Sequence, residues 1–567
     1  MEPSAVLKNG RLYPVVIDEL ARDDPHRPWA SIPRDDDDLS KGYEDIDYEV
    51  LANAVNRLAW VIDSAVGKSG TFETIAYLGA NDLRYYMMQM AAIKTGTVVL
   101  FSAHSNSVDV HASLMEKLDC KFVFSSADIK VDDILAARPM MHTIVPDLND
   151  LLDLKFRSEY YPYTKTYEEA AQDPYMYIHT SGTTGEPKPV VHNHAIVHTA
   201  IALSYLPDVE GRPHAESFVR PGLGTRVLLT VVPYHSSSSL LGPILSILGG
   251  GVLVTPYRSG YLYRSEAILD IIMYSKITHS VLAPYVMEAA ARKPNLDKYL
   301  KNVQQIWYGG GEVSRQAQET WSKYTRVYDR WGATELGLVP QLVPDPGDYE
   351  YIYFDMEYSG LEFREVNLDD YSNGSDSAKI CEMVLTWTPK SAPYSAWYLR
   401  QSTKLKSGPP YPNHYIGDLW SPHPDPKKSR YAWRFVGRTD DVITLAAGTN
   451  VNTGNIEREL NSHHLVKKAL IIGNMRLQPL ALIELVPDAH PEAMSEVWES
   501  VLAPLNAKVP SDARIARTHL LQIPESGFVT TGKGTVSKVK SERKFAKEIE
   551  EIYQKFGDVY HSQGRGG

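Results

Sequence analysis

The sequence predicts an α/β fold: a large N-terminal domain of two α/β lobes with a β-rich subdomain, followed by a small α+β C-terminal domain. Three observations predict it. At 567 residues the chain is far past the size at which one hydrophobic core stops growing. Over two long stretches, short β-branched runs alternate with longer amphipathic ones, the rhythm of strand–helix–strand units around a largely parallel sheet. That rhythm then gives way to strands without long helices, and after them to a compact mixed segment.

The first stretch begins near residue 72, with "FETIAYLG", "NDLRYYMMQMAAIKTG", "TVVLFS", "VDVHASLMEKLD" and "CKFVFSS" in turn. The second runs through "RVLLTVVPY", "GGVLVTPY", "SEAILDIIMYSK", "THSVLAP", "VMEAAARK" and "VQQIWYGGGE". Between about 378 and 436 come strand-like segments alone, "AKICEMVLTWT", "SAWYLRQS" and "YAWRFVGR". After "GRTDD" (437–441) follow the helix "NIERELNSH", the strands "VKKALIIG" and "LALIELV", the helix "MSEVWESVLAPLNAK" and the strand "THLLQIP". The expected boundary is Asp440, giving domains 1–439 and 440–557. The second of these ends in a charged helix, "KSERKFAKEIEEIYQKFG", and residues 558–567 read as a linker or frayed tail.

Composition excludes several classes. The formal net charge of −12 and the isoelectric point near 5.9 offer no basic face for nucleic acid, so any anionic ligand has to be held locally. Two cysteines, Cys120 and Cys381, are too few for a disulfide framework or a zinc site and fit a reducing compartment. Residues 1–20 lack the apolar core of a signal peptide, and the longest apolar run, 240–254, is too short to span a bilayer. A cytoplasmic protein with no membrane or nucleic-acid partner is expected. The acidic run Asp35–Asp38 reads as a solvated loop and Asn373 as an unused sequon. His463-His464 reads as surface histidine, since no cysteine or carboxylate stands nearby at ligand spacing.

The richest stretch is "IHTSGTTGEPKPVVHNH" (178–194). Thr180, Ser181, Thr183 and Thr184 supply hydroxyl and backbone donors, Gly182 and Gly185 permit close approach, and Lys188 adds a charge, which is what a polyphosphate needs. It follows a strand, "PYMYIH", where α/β sheets place ligands. His179 is expected to end that strand, and His192 and His194 to start a helix rather than bind metal. The stretch lacks Walker A spacing. A near-Walker string at Gly527–Gly534 has glycine where magnesium needs a hydroxyl, which leaves a P-loop ATPase or kinase as the distant alternative.

"TSGTTGEPKPV" closely resembles the phosphate loop of the adenylate-forming superfamily, which comprises acyl-CoA synthetases, luciferases and the adenylation domains of nonribosomal peptide synthetases and carboxylic acid reductases. Five further motifs occur in that superfamily's order: "YGGGE" (308–312), "DRWGATELG" (329–337), "YIGDLW" (415–420), "FVGRTDDVITLAAGTNVN" (435–452) and "TGKGTVSK" (531–538). The resemblance implies attack of a carboxylate on the α-phosphorus of ATP, giving an acyl-adenylate and pyrophosphate. By it, residues 180–188 grip the β- and γ-phosphates, and Gly309, Gly310, Gly311 and Glu312 lie against adenine. Trp331, in place of the usual tyrosine, stacks on the base beside Gly332. Thr334 meets the α-phosphate and Glu335 holds Mg²⁺. Asp418 takes the ribose hydroxyls, and Arg438 supports the nucleotide. Lys533 is the expected catalytic lysine, bridging carboxylate and α-phosphate, with Lys538 the weaker candidate. The C-terminal domain of such enzymes is mobile. Its hinge maps to Asp440, and the loop presented to an incoming phosphopantetheine thiol carries Gly448.

Tyr234-His235 stands where aryl- and acyl-activating members carry an aromatic residue followed by histidine, so an acid without a primary α-amino group is expected. His235 joins the catalytic set. Trp307 and Tyr308, with Tyr234, suggest an aromatic pocket suited to an aryl acid or to a quaternary-ammonium acid. The chain looks most like the adenylation part of fungal synthetase-like carboxylic acid reductases. No carrier site and no reductase fingerprint follows residue 540, so an excised or truncated first domain is expected, whose carrier and reductase partners lie elsewhere. A stand-alone acyl- or aryl-CoA ligase is the alternative.

Overall fold

The computed structural model describes residues 2–104, 106–180, 188–220, 222–260, 267–310, 313–334, 336–366, 379–386, 388–391, 393–394, 413–438, 442–445, 450–474, 476, 478–507, 513–525, 527–529 and 536–556. The chain divides into two compact units. One comprises residues 1–182, 186–360 and 387–411, and the other comprises 183–185, 361–386 and 412–567.

Two sheets organise the first unit. The first runs, in spatial order, Met141–Ile144, Phe122–Ser125, Thr74–Leu78, Val98–Phe101, Pro174–Thr180 and Lys188–Asn193. Its strands pair in parallel except for the last two, which are antiparallel. The second runs Arg326–Asp329, Gln305–Tyr308, His279–Leu282, Arg226–Leu229, Val252–Val254, Pro28–Pro33 and Tyr43–Asp47, parallel up to its final antiparallel pair. The α/β reading of both stretches therefore holds. The addition is near the edge of the second sheet, where Pro28–Pro33 pairs with Val252–Val254, joining segments far apart in the sequence of the unit.

Local chemistry explains the helices between these strands. Asp47 caps Tyr48–Val66 by accepting from Val50 N at 3.0 Å, satisfying a donor the first turn leaves open. The buried helix Arg84–Thr95 stops at Gly96, whose φ of +72° suits glycine, and a Cβ there would meet Ser69 O at 2.5 Å. Its aromatic and methionine side chains join a core built from both sheets, in which Tyr77, Tyr85, Phe101, Val227, Leu229 and Trp307 are all buried. A second core of the same unit lies on the other side of the second sheet, around Leu228, Leu282, Ile306, Tyr308 and Trp321.

In the second unit, Leu361–Glu365, Cys381–Leu385, His414–Pro422 and Ala432–Arg438 pair successively antiparallel, as the change of rhythm predicts. Beyond them, Val466–Ile472 and Leu480–Leu485 pair antiparallel, and Leu520–Ile523 adds in parallel. Helices Thr453–Ser462 and Ala493–Val497 cover one face of this small sheet through Ile456, Leu460 and Val497, and Ala546–Phe556 contributes Ile549 and Tyr553 to a second apolar cluster. Among the described residues no helix is long and apolar enough to cross a membrane.

Candidate functional site

Parallel strands deliver their loops to one edge of a sheet, and three of the motifs leave strands of the second sheet at their carboxyl ends, two of these strands adjacent and the third separated from them by one other strand. Arg226–Leu229 leads to Tyr234-His235, Gln305–Tyr308 to Gly309, and Arg326–Asp329 to Trp331–Thr334. The registers Tyr308↔Asp329 and Leu282↔Tyr308 place Gly309 beside Arg330. A Cβ on Gly309 would lie 2.4 Å from Arg330 O, so the backbone alone requires glycine there.

His235 is the N-cap of helix Ser236–Pro243, its Nδ1 accepting from Ser237 N at 3.2 Å and lying 2.8 Å from Ser237 Oγ. The next residue, Ser236, places its Oγ 3.3 Å from Thr334 Oγ1. A positive helix end, two hydroxyls and the conformationally fixed His235 ring thus converge, an arrangement that suits an anion such as a carboxylate or phosphate. Ser236 was not singled out from sequence, because one serine in a run of four carries no signal of its own.

Strand alternation corrects the aromatic pocket. Trp307 and Tyr308 are successive residues of one strand, so they point to opposite faces. Trp307 packs with Val281, Tyr328 and the partly buried Tyr234, whereas Tyr308 packs with Leu282, Ile306 and Trp321. Only Trp307 shares a face with Tyr234. The companions of Tyr234 come instead from the first lobe. His104 lies 4.8 Å from its ring and Tyr85 5.9 Å, with Tyr85 Oη 3.0 Å from His104 Nε2. Burial pushes the Tyr234 phenol up to about 12 and moves His104 below the usual imidazole value, so both stay neutral near pH 7.

Arg330 lies 4.8 Å above the Trp307 ring, pairs with the fully buried Glu216, and donates from Nη1 to Gln341 Oε1 at 2.6 Å. Gln341 in turn donates to Trp331 O at 3.0 Å, so a buried network holds the backbone at Trp331. Trp331 sets its ring edge-on to Phe354, 6.0 Å away.

In the second unit, Asp418 and Arg438 face one another across antiparallel strands and form an ion pair at 2.7 Å, the aspartate buried and the arginine partly exposed. Lys538 donates to Thr453 Oγ1 at 2.6 Å and lies 3.3 Å from Glu457 Oε1, both on helix Thr453–Ser462. Lys188 is exposed at the start of its strand. Thr180 is the last residue of Pro174–Thr180, its side chain outside the description. Ser181, Gly182, Thr183, Thr184, Gly185, Gly311, Glu312, Glu335, Asp440, Gly448 and Lys533 lie outside the described residues.

The histidines beside the phosphate loop are structural. His179 stands at the end of its strand as expected, with Nε2 accepting from Ala103 N at 3.0 Å. His192 belongs to strand Lys188–Asn193 rather than to a helix, because Asn193, accepting from Ile196 N, sets the helix start at His194. Burial lowers His192 and His198 to about 4 and His194 to about 3, with His198 and then Lys165 adding to the His194 shift. These folded values lie below the unfolded one near 6.5, so the unfolded chain binds more protons as pH falls. The stability they contribute is full above about pH 6.5 and is lost towards pH 4, at about 1.4 kcal/mol per histidine per pH unit. Calorimetry should therefore show the melting temperature falling steadily from pH 7 to 5, and a flat profile would contradict this.

Residues 23–353 match the AMP-binding enzyme family, and residues 440–557 match the AMP-binding enzyme C-terminal domain. The latter match covers the Walker-like string and removes the P-loop alternative. A carboxylic acid reductase of Neurospora crassa is 27% identical over 561 residues, 96% of this chain and 51% of that protein. An adenylate-forming reductase of Serpula lacrymans is 25% identical over 587 residues, 96% of this chain and 50% of that one. The chain thus spans about half the length of these relatives. The solved structure of the anthranilate CoA ligase AuaEII in complex with anthranoyl-AMP shares the fold, with a TM-score of 0.69 and 15% identity, covering 97% of this chain and 100% of that one. The chain belongs to the AMP-binding enzyme family, within the adenylate-forming superfamily, and its reaction class is the ATP-dependent joining of an acid to AMP.

Proposed function

We propose that the chain is the adenylation domain of a carboxylic acid reductase, acting on an aryl or quaternary-ammonium acid that lacks a primary α-amino group. One carboxylate oxygen attacks the α-phosphorus of ATP, the bond to the bridging oxygen breaks, and pyrophosphate leaves with that electron pair. A phosphopantetheine thiol of a carrier domain then attacks the acyl carbon, loses its proton and expels AMP, and the thioester passes on to reduction. The observation that carries this reading is the convergence of His235, Ser236 and Thr334 at a helix N-terminus, which offers a place for the reacting anions. The stretch "VVPYHSSSSLLG" (231–242) carries no aspartate to pair with an α-ammonium group.

In this reading Thr180–Lys188 hold the β- and γ-phosphates, Gly309–Glu312 and Trp331-Gly332 the base, and Asp418 with Arg438 the ribose side. Mg²⁺, held by Glu335, would neutralise phosphate charge. Lys533 supplies the transition-state cation, Asp440 is the hinge, and Gly448 lies on the thiol-facing loop. Two free, buried cysteines accord with a cytoplasmic setting.

Exchange of labelled pyrophosphate into ATP, run across a panel of acids, tests the first step. Exchange should depend on an aryl or betaine-type acid, and its absence with every acid in folded protein would sink the proposal. Added CoA then separates the acceptors: efficient thioester formation points to a stand-alone ligase, and acyl-adenylate that persists until a carrier domain is supplied points to the reductase. Replacing Asp418 by asparagine should raise the KM for ATP about tenfold or more while leaving that for the acid nearly unchanged, because a charged acceptor is lost from the ribose side.

A further inference from the structure

The small fold of the second unit gathers a group of side chains that the adenylation chemistry does not use. The chain reverses between helix Thr453–Ser462 and strand Val466–Ile472, and this reversal sets the imidazoles of His463 and His464 side by side, their ring centroids 4.6 Å apart. Glu496, from helix Ala493–Val497, meets them there. One donor atom from each of His463, His464 and Glu496 lies within 4.8 Å of the other two. In sequence the two histidines have no carboxylate at ligand spacing. The fold supplies one from about thirty residues further on.

We propose that His463, His464 and Glu496 form a binding site for a divalent transition metal, with zinc as the ion that fits best. Two donors on one tetrahedral zinc ion, with bonds of 2.0–2.1 Å, stand about 3.4 Å apart. His464 Nε2 and Glu496 Oε1 are 3.7 Å apart, long for a hydrogen bond and close to that separation. The other carboxylate oxygen, Oε2, lies 3.2 Å from His490 Nε2, so a third imidazole orients the ligand from behind, the usual arrangement around protein-bound metals. The nitrogens of His463 lie 3.3 Å from Leu465 N and 3.1 Å from Ser500 Oγ. Ligation gives up one of these long contacts, and the other fixes the tautomer.

The donor set selects the class of ion. Two imidazoles and a carboxylate suit zinc, nickel or copper better than calcium or magnesium, which favour all-oxygen shells. His464, Glu496 and His490 are exposed enough for an ion and a closing water to reach them. A second group, His26, Asp47 and Glu49, serves as the contrast. Its carboxylates are occupied, Asp47 by capping Val50 N and Glu49 by Arg157, and it has one imidazole. Bound metal at His463–His464 would pin the end of helix Thr453–Ser462 to helix Ala493–Val497. The first turns of the pinned helix carry Thr453 and Glu457, the partners of Lys538.

The test is titration of the untagged full chain with zinc chloride against a chromophoric chelator, alongside His464→Ala, Glu496→Ala and, as control, His26→Ala. The wild type and His26→Ala should bind one zinc ion with micromolar affinity. His464→Ala and Glu496→Ala should each weaken it tenfold or more, and His490→Ala should do so to a smaller degree. A zinc-induced rise in melting temperature should accompany binding and vanish in the two ligand variants, whose exposed positions leave the fold intact. Equal affinity in wild type and ligand variants, an equal loss in His26→Ala, or no binding in the wild type would each overturn the proposal.

Discussion

Replacing Lys533 by alanine should slow acid-dependent pyrophosphate exchange by about a hundredfold or more, whereas Lys538→Ala should leave the rate within about tenfold of wild type. Both lysines fall in the "TGKGTVSK" motif, and the contrast between them comes from what Lys538 already does. It donates to Thr453 Oγ1 at 2.6 Å and stands 3.3 Å from Glu457 Oε1, partly buried, which ties the last helices of the small fold to helix Thr453–Ser462. A lysine so engaged would have to break both interactions to reach a phosphate. Its removal should therefore appear as a loss of about 1–2 kcal/mol of stability, read as a lower melting temperature, rather than as a chemical defect. Lys533, five residues earlier beside two glycines, is the cation proposed for the transition state. Single-turnover formation of acyl-adenylate in the two variants separates these roles, and a larger loss of chemistry in Lys538→Ala would exchange them.

Glu216→Gln should lower the melting temperature by on the order of 10 °C. Its carboxylate is fully buried against Arg330, which also donates to Gln341 and lies over Trp307. Removing one member of such a pair leaves an uncompensated charge in a poorly polarisable interior and costs about 3–5 kcal/mol. An exposed pair provides the contrast: Glu362→Gln, which removes the partner of the solvent-accessible Arg364, should leave the melting temperature nearly unchanged. Because Gln341 bridges Arg330 to the carbonyl of Trp331, Glu216→Gln should also raise the KM for ATP without touching the nucleotide. Thermal denaturation with a parallel ATP titration reads both effects. A variant as stable as wild type would show that the pair is dispensable.

The two α/β lobes were legible from sequence because their strands are short, β-branched and separated by helices of clear period, as in "TVVLFS" and "SEAILDIIMYSK". What was not legible depended on pairing across the chain. Pro28–Pro33 carries no local mark of the sheet it joins, since its neighbours are set by Val252–Val254. The pocket residues Tyr85 and His104 reach Tyr234 only through the packing of the first lobe against it. Trp307 and Tyr308 were read as one aromatic wall because adjacency in sequence looks like adjacency in space, and the two-residue period of a strand reverses that. His192 was misplaced by a single element for a similar reason. Asn193 is the stronger cap, and a helix-starting pattern one residue off reads almost the same.

The strand Pro28–Pro33, next to the edge of the second sheet, has a consequence for how the protein is made. Its parallel partner Val252–Val254 leaves the ribosome more than two hundred residues later, which at 5–20 residues per second is on the order of ten to forty seconds. Through that interval Trp29, Ala30 and Ile32, all buried in the finished fold, have only the antiparallel strand Tyr43–Asp47 to pair with and no parallel sheet to join. The first sheet, whose strands span residues 74–193, can close on its own schedule, but the second waits for both ends of its strand order. The nascent chain thus carries an apolar β-segment that needs shelter until the far side of the unit arrives, and that segment is where chaperone engagement during synthesis should concentrate.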